Sequence, residues 1–399
     1  MQNRSTGGLG QLTEVLGEVP HARAQVQRRF YRPELDGLRF YAFLGVFVCH
    51  SFPPEGLFYE RLHLPLPWLW AAVVKSGAAG VDLFFVLSAF LITSLLLREL
   101  EDTGSISLRL FYIRRALRIW PLYFLVILLG IGAALPRFLQ SHLWYYDQRL
   151  NWYYVVGYAL FVGNWVTAIF GVPESICSPL WTVSIEEQFY LIWPALMKVL
   201  KRRGMIIAGI LTFLLSAVSQ VGIVLGGAPW TYLYFGTASR CDSLALGMLL
   251  ALYADHLPKL TKGTRFLLIA CGLLGWILSP AWLTDQPRPI DMGTVLGRLI
   301  ISLASGAILY GCLYSSNKLL TGGWIVRLGQ ISYGLYMLHY TGLLILLSLI
   351  RPAYGWQLLA TKGLGFVMTV LLAFASYRWV ESPFLRLKVR FTTVLSRPV

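Results

Sequence analysis

Apolar runs long enough to cross a membrane recur along almost the whole 399-residue chain, and they limit what it can fold into. A bilayer core about 30 Å thick requires about 20 apolar residues in each spanning helix. The sequence predicts an all-α, polytopic transmembrane helix bundle of about ten spans. The predicted spans lie at about 38–56, 78–98, 119–136, 183–200, 205–226, 230–254, 265–283, 293–315, 329–350 and 357–377.

The composition is that of a membrane protein. Hydrophobic residues make up 56% of the chain and charged residues 13%, whereas a soluble domain has about 25% charged residues. The net charge of +15 could indicate a nucleic-acid-binding protein, but its distribution indicates membrane topology and an anionic ligand instead, so we expect no nucleic-acid partner. The five cysteines lack the spacing of metal ligands, and we expect neither a metal site nor disulfides.

Basic residues decide how the segment 151–170, rich in Tyr and Trp, is interpreted. If this segment does not cross and the N-terminus is cytoplasmic, most Lys and Arg residues lie on the cytoplasmic side, with Arg298 outside and Arg240 within a span. This is the bias that orients membrane proteins. We therefore predict both termini to be cytoplasmic and 151–170 to be an external re-entrant or interfacial helix.

Three regions follow from this topology. Residues 1–30 are polar and lack the apolar core of a signal peptide, so we expect a mobile cytoplasmic N-terminal tail. Residues 31–388 form the membrane domain, and 389–399 form a short cytoplasmic C-terminal tail. We expect the protein in the cytoplasmic (inner) membrane.

The stretch 31–52 places His50 deep inside an apolar run that opens with charges, among them Arg39. At a rise of about 1.5 Å per helical residue, His50 lies about 16 Å from Arg39, which is about half the thickness of a bilayer core. An ionisable group at this depth is costly unless it is paired, so it indicates a functional site. The alternative is a core histidine hydrogen-bonded to a neighbouring helix.

Two carboxylates, Glu186 and Glu187, lie near the outer end of the predicted fourth span. With the first helix running outward and the fourth running inward, His50 and this pair reach a similar depth. A carboxylate beside an imidazole fixes its tautomer, as a general base requires. We therefore predict that Glu186 or Glu187 orients His50. The alternative is an acidic first turn after Ser178, stabilised by the helix dipole.

Other spans also carry charged groups within apolar sequence. Asp82 opens the second span in GVDLFFVLSAFLIT, and Arg240 and Asp242 lie in SRCDSLALG. Arg240 and Asp242 could form a structural ion pair or contribute to a site. His339 in ISYGLYMLHYT lies among apolar neighbours, which favours a structural role.

Arg114, Arg115 and Arg118 precede the third span in FYIRRALRIWPLY. Arg115 and Arg118 are three residues apart and share a helix face, and guanidinium groups suit phosphate recognition. Together with Arg39 they predict a cytoplasmic anion site. The alternative is an ordinary positively charged membrane anchor.

Taken together, these motifs resemble the acyltransferase-3 family of integral membrane proteins, which move acyl groups, commonly acetyl, from acyl-CoA to hydroxyls. The family hallmark, Arg or Lys followed after ten residues by His, looks like Arg39 and His50, preceded by Leu35-Asp36-Gly37-Leu38. Further motifs match in order over about residues 31–388: GVDLFFVLSAFLIT, FYIRRALRIWP, SPLWTVSIEEQFYLIWP, SRCDSLALG, LGQISYGLYMLHYT and YRWVESPF.

The resemblance implies an acyl-CoA co-substrate, with acetyl-CoA first, no metal, and a hydroxyl-bearing acceptor of carbohydrate type. It implies that His50 removes the acceptor proton. The roles it implies for other residues are catalytic for Asp36, Arg39, Glu186 and Glu187, CoA binding for Arg114, Arg115 and Arg118, and stabilisation of substrate or intermediate for Asp82, Arg240, Asp242 and His339.

Two departures from the family pattern bear on these expectations. Ala89 stands where the family has Gly in a Ser-Gly-Phe motif, which predicts slight repacking. We expect no counterpart of the SGNH-hydrolase-like domain that many members carry, and we therefore expect the membrane domain to complete transfer or to pass the group to a separate protein. A transporter or flippase that uses the buried charges as a substrate or proton path is the rival function. A sensory or scaffolding membrane domain is a third candidate, and the oligomeric state is left open.

Overall fold

The structure is a computed structural model that describes residues 31–134, 149–279, 290–352 and 355–392. Regular secondary structure within these ranges is helical, which confirms the all-α prediction. The helices are α1 Pro33–Ser51, α2 Gly56–Arg61, α3 Pro67–Ser76, α4 Gly80–Thr103, α5 Leu108–Ala134, α6 Trp152–Ala159, α7 Gly163–Phe170, α8 Leu180–Val199, α9 Arg202–Leu225, α10 Trp230–Phe235, α11 Thr237–Tyr253, α12 Lys262–Leu278, α13 Met292–Cys312, α14 Lys318–Thr321, α15 Gly323–Gln330, α16 Ser332–Ile350, α17 Trp356–Ser376 and α18 Ser382–Val389.

Six helical stretches in the described ranges are long and apolar enough to cross a membrane: Pro67–Thr103, Leu108–Ala134, Arg202–Leu225, Met292–Cys312, Ser332–Ile350 and Trp356–Val389. The four other predicted spans also contain helices. Of these, α1 carries three charged residues near its start, and α11 and α12 have 17 residues each. The predicted run 230–254 divides into α10 and α11 at Gly236, whose backbone is extended.

The segment 151–170 forms two helices, α6 and α7, of eight residues each. At about 12 Å, neither helix is long enough to cross the hydrocarbon core. The chain turns between them at Phe161, where φ is 56°, and a Cβ at Gly157 would collide with the Val166 side chain, so the two helices pack closely. The segment therefore does not cross as one helix, and it is a helix pair rather than the single helix predicted.

Buried amide and hydroxyl groups attach this pair to the bundle. Gln188 of α8 donates to the carbonyl of Phe161 at 2.8 Å and to Asn164 Oδ1 at 2.9 Å. Asn164 donates to Thr237 Oγ1 at 2.9 Å, and Thr237 donates back to Gln188 Oε1 at 2.6 Å. Because these groups satisfy one another, the network holds α7, α8 and α11 in one arrangement.

Helix α1 lies inside the bundle, where it packs against α4, α15 and α16. Small residues allow its closest contacts, as in other membrane helix pairs. A Cβ at Gly80 would overlap the carbonyl of Ala42, and a Cβ at Gly77 would overlap that of Gly45. Phe43 in the same helix is 0% exposed. The helix that carries Arg39 and His50 is therefore held rigidly on several sides.

The predicted tails lie largely outside the described residues. The N-terminal tail 1–30 is outside them, as are residues 393–399 of the C-terminal tail. The last described helix, α18, ends at Val389, where the predicted C-terminal tail begins.

Candidate functional site

His50 lies in the last turn of α1, where its side chain is exposed to a cavity of about 630 Å³. One wall of this cavity is polar and comes from the turn before α8, whose shape depends on Ser178 Oγ donating to the carbonyls of Pro173 and Ser175 at 2.6 and 2.7 Å. The opposite wall is apolar and comes from α16. The cavity is lined by His50, Ser51, Glu174, Ser175, Ser178, Tyr340, Leu343, Leu344, Leu347 and Lys362, among others.

His339 is the hydrogen-bond partner of His50. The distance from His50 Nδ1 to His339 Nε2 is 2.9 Å, and His339 is 0% exposed. The other ring nitrogen of His339, Nδ1, lies 2.5 Å from the carbonyl oxygen of Tyr336. His339 is therefore not an isolated core histidine, because it links His50 to the backbone of α16.

The predicted pairing of His50 with Glu186 or Glu187 does not occur in the described structure. Helix α8 begins at Leu180, beside the turn that lines the His50 cavity, and its next two turns carry Glu186 away from His50. Glu186 instead accepts from Ser88 Oγ at 2.6 Å and from Tyr190 OH at 3.3 Å. Glu187 lies on a different face, and its Oε1 has no hydrogen-bond partner among the described residues.

A second cavity, of about 80 Å³, brings together the predicted anion-binding arginines. Arg39, Arg115 and Arg118 line it, and the same three side chains line an adjoining space of about 70 Å³. Glu186 also lines the 80 Å³ space, where its carboxylate offsets part of the positive charge of the arginines. We call these two spaces together the arginine cavity.

Two predicted site residues, Arg114 and Asp36, do not line the arginine cavity but lie next to residues that do. Arg114 forms a 2.7 Å ion pair with Glu99, which is 3% exposed, and also donates to the carbonyl of Phe391 at 3.1 Å. Asp36 is buried one turn before Arg39, and their ion-pair distance is 3.9 Å. Asp36 therefore contacts a cavity arginine, whereas Arg114 is committed to a partner outside the cavity.

A buried cluster of four charges contains Asp82, Arg240 and Asp242 together with Arg298. Asp82 Oδ1 accepts from Arg298 at 3.0 Å, and Asp82 Oδ2 lies 3.5 Å from Arg240. Arg298 also lies 4.0 Å from Asp242, so Asp82 and Arg298 join charges on α4, α11 and α13. Ser243 Oγ donates to Asp82 Oδ1 at 2.9 Å.

Arg298, which the sequence analysis counted among the external basic residues, has a side chain that is 2% exposed and lies inside this cluster. An arginine several residues into the apolar run 293–315 was the available signal. Arg240 and Asp242 also do not form the simple pair that the sequence suggested, since Asp82 and Arg298 lie between them.

Arg240 is surrounded mainly by aromatic rings. Its guanidinium lies 5.1 Å from the ring centre of Tyr234, 5.4 Å from Phe85 and 5.5 Å from Trp181. None of its three guanidinium nitrogens has a hydrogen-bond partner among the described residues. A fully buried cation with unused donors could bind negative charge that develops on a substrate.

Tyr336 lies between the two cavities. Its side chain lines the arginine cavity, and its hydroxyl lies 3.0 Å from Thr182 Oγ1, which donates to it. Its carbonyl contacts His339, and His339 contacts His50 in the other cavity.

Among the residues that the structure describes, no group of three or more His, Cys, Asp or Glu side chains could hold a metal ion.

The family model described as an acyltransferase domain, acyltransferase-3, matches residues 32–378 of the chain. The matched range contains the histidine pair, the buried ion cluster and most of the residues that line the two cavities, whereas Tyr31 and Lys388 of the arginine cavity lie outside it. No solved structure matches the chain.

Two relatives show the level of similarity. The chain is 29% identical over 380 residues to a Staphylococcus aureus (strain MSSA476) protein named "Putative O-acetyltransferase", and the match covers 89% of this chain and 57% of that protein. It is 29% identical over 381 residues to the peptidoglycan O-acetyltransferase OatA of Listeria monocytogenes, covering 89% of this chain and 56% of OatA. The chain thus spans a little more than half the length of these relatives.

Proposed function

Because this chain belongs to the acyltransferase-3 family, we propose that it is a membrane-embedded O-acyltransferase that uses His50 as general base. The donor is cytoplasmic acyl-CoA, with acetyl-CoA first. The acceptor is a hydroxyl of a glycan, a lipid-linked sugar or a small metabolite. The name of the Listeria relative, a peptidoglycan O-acetyltransferase, supports acetyl as the group and a glycan hydroxyl as the acceptor.

The proposed topology has ten spans in the cytoplasmic (inner) membrane, with both termini cytoplasmic. Four helices beyond the six that are long and apolar enough by themselves are then spans: α1, α8, α11 and α12. In this arrangement the arginine cavity opens towards the cytoplasm, where acyl-CoA is made, and the His50 cavity opens towards the outer side. The distribution of Lys and Arg supports this orientation.

One observation carries the proposal: the same helix, α1, lines both cavities. Arg39 lines the arginine cavity and His50 lines the larger one, and eleven helical residues correspond to about 16 Å. An anion-binding site and a base at this separation suit a donor whose phosphates and reactive thioester lie at opposite ends of a long molecule.

In the proposed reaction, the CoA phosphates bind Arg39, Arg115 and Arg118 through charge-assisted hydrogen bonds. The pantetheine arm extends past Tyr336, whose side chain must move, and brings the thioester to the His50 cavity. His50 takes the acceptor hydroxyl proton as the oxygen attacks the thioester carbonyl. The C–S bond then breaks, and the CoA thiolate leaves and takes the proton from His50, which returns to its neutral form.

The remaining charged residues support these steps in the proposal. Glu186 holds the arginine side chains in place instead of orienting His50, as its position in the arginine cavity supports. Arg240, with its unused donors, offsets the negative charge on the tetrahedral intermediate. Asp82, which accepts a hydrogen bond from Arg298, holds Arg240 in position.

Replacing His50 tests the proposal. We expect His50→Ala to lower the rate at which free CoA thiol is released from acetyl-CoA by about 100-fold or more, since a general base contributes about 10² to 10⁴ in rate. The assay uses purified protein in detergent with acetyl-CoA and a panel of hydroxyl acceptors. Thermal unfolding and CoA binding of the variant show that it is folded. Full activity in the variant would contradict His50 as the base.

The same assay separates the enzyme from a transporter or flippase. Thiol release by the wild type alone supports the transferase. Absence of both thiol release and CoA binding in the wild type would contradict the transferase and favour a substrate or proton path through the buried charges.

A further inference from the structure

The two histidines meet edge to edge in a single hydrogen bond. Their ring centres are 5.1 Å apart, and their planes differ by 9°. Three distances lie between the two ring centres: from each ring centre to its own nitrogen, and the 2.9 Å from His50 Nδ1 to His339 Nε2. Their sum equals the distance between the ring centres. The contact therefore lies along the line between the rings and within both planes, as an N–H···N hydrogen bond requires.

The backbone of α16 determines which nitrogen carries each proton. A carbonyl oxygen only accepts hydrogen bonds, so His339 Nδ1, which contacts the carbonyl of Tyr336, must carry a proton and donate it. A neutral imidazole has one N–H, so His339 Nε2 is the acceptor. His50 Nδ1 must then carry the proton of the N–H···N bond, and His50 Nε2 is left with a free lone pair.

This tautomer is the one that a base facing the larger cavity needs. His50 is exposed to that cavity, and no described residue hydrogen-bonds its Nε2. We propose that His339 is a positioning residue that keeps His50 in the Nδ1–H form and aims its unprotonated Nε2 at the acceptor hydroxyl. The inference deepens the proposed function and rests on it.

We call the two hydrogen bonds from His50 through His339 to the Tyr336 carbonyl the relay. It ends in a neutral carbonyl and not in a negatively charged carboxylate. When His50 takes the acceptor proton on Nε2, it becomes an imidazolium whose Nδ1–H still donates to His339 Nε2. His339 stays neutral, and its own Nδ1–H donates to the carbonyl of Tyr336. The charged form is thus stabilised by two aligned dipoles, and the Tyr336 carbonyl has a second lone pair for its helical hydrogen bond.

A direct test reads the tautomers without measuring activity. Histidine side chains of the full chain, six in all, are labelled with ¹⁵N and observed by NMR in lipid nanodiscs at neutral pH. The signals of the pair are assigned by their loss in His50→Gln and His339→Gln. We expect both rings to show a protonated Nδ1 and an unprotonated Nε2. An Nε2–H tautomer at His50 would overturn the inference.

Kinetic variants separate positioning from packing. His339→Phe keeps a ring of similar size but removes the acceptor, so we expect kcat to fall by about 100-fold, with the KM for acyl-CoA unchanged. His339→Gln restores most of the activity, because its amide oxygen can accept from His50 Nδ1–H near the original position of Nε2. An active His339→Phe variant beside an impaired His339→Gln variant would mean that His339 acts only through packing.

The two proposals fail in different ways. If the wild type shows the expected tautomers but His50→Ala keeps full transferase activity, the general-base function is wrong and the hydrogen-bond relay remains. If His50→Ala is inactive but His50 carries its proton on Nε2, the relay is wrong and the transferase remains.

Discussion

At the residue scale, three neighbouring arginines of α5 have different surroundings. Arg115 and Arg118 line the arginine cavity, whereas Arg114 forms a 2.7 Å ion pair with the buried Glu99. Sequence spacing placed all three in one cluster, but the cluster divides because their side chains leave the helix in different directions. Of the three, only Arg115 and Arg118 reach the cavity that we propose to bind the CoA phosphates.

Removing these arginines one at a time should therefore affect CoA binding differently. We expect Arg115→Gln and Arg118→Gln each to raise the Kd for CoA by about 10- to 100-fold, because a hydrogen bond to a charged group contributes about 1.5–3 kcal/mol. Arg114→Gln is the matched control and should leave the Kd within about 2-fold while lowering thermal stability, since it leaves a buried carboxylate unpaired. Calorimetry in detergent measures binding. An equal loss of affinity in all three variants would contradict this division.

At the element scale, the contact between α4 and α11 assembles the buried ion cluster. Gly247 of α11 lies directly against α4, where an added methyl would overlap the carbonyl of Val86 and lie 2.8 Å from the Cβ of Ala89. Because the two helices approach so closely, Asp82 on one lies 3.5 Å from Arg240 on the other. The close approach depends on glycine at position 247, which has no side chain. It is possible although Ala89, on the facing helix, has a methyl group where glycine is usual for the family.

A single methyl at this contact should push the helices apart. We expect Gly247→Ala to lower the free energy of unfolding by about 1–3 kcal/mol, the usual cost of overpacking, and to reduce transferase activity because Arg240 moves from Asp82. Gly222→Ala in α9 is the control, since apart from the neighbouring backbone of α9 no described residue lies within 4 Å of the added methyl. Unfolding in detergent measures both variants. A stable, fully active Gly247→Ala would show that α4 and α11 tolerate a wider separation.

At the scale of the whole molecule, the two cavities lie towards opposite ends of α1. The proposed ten-span topology would place the loop after α1 on the outer side and the end of α4 in the cytoplasm. Glu60 and Asp102 are exposed at these two ends. The direction of the proposed acyl transfer depends on this orientation, because the proposed donor, acyl-CoA, is available only in the cytoplasm.

Cysteine labelling tests the orientation. In a background without the five native cysteines, we expect Glu60→Cys to react with a membrane-impermeant maleimide in intact cells. Asp102→Cys should react only after permeabilisation. The reverse pattern would invert the bundle and place the arginine cavity on the outer side, where it could not receive cytoplasmic acyl-CoA.

Several features were determined by the sequence itself. The apolar runs made the chain helical, and the spacing of Arg39 and His50 together with the ordered motifs identified the family. The arginines that share a helix face, Arg115 and Arg118, could be predicted to act together because helix periodicity is local. The break of 151–170 into short segments also had a local signal in its interrupting glycines.

Only the tertiary structure decided which side chains meet. His50 pairs with His339 rather than Glu186, because α8 begins beside the His50 cavity and then carries Glu186 to the arginines. Arg298 joins Asp82 in the buried ion cluster. The sequence determines the position of a residue along its own helix to within about one turn. The rotation and offset of one helix against another come from packing contacts hundreds of residues apart, and these determine the partner of each buried charge.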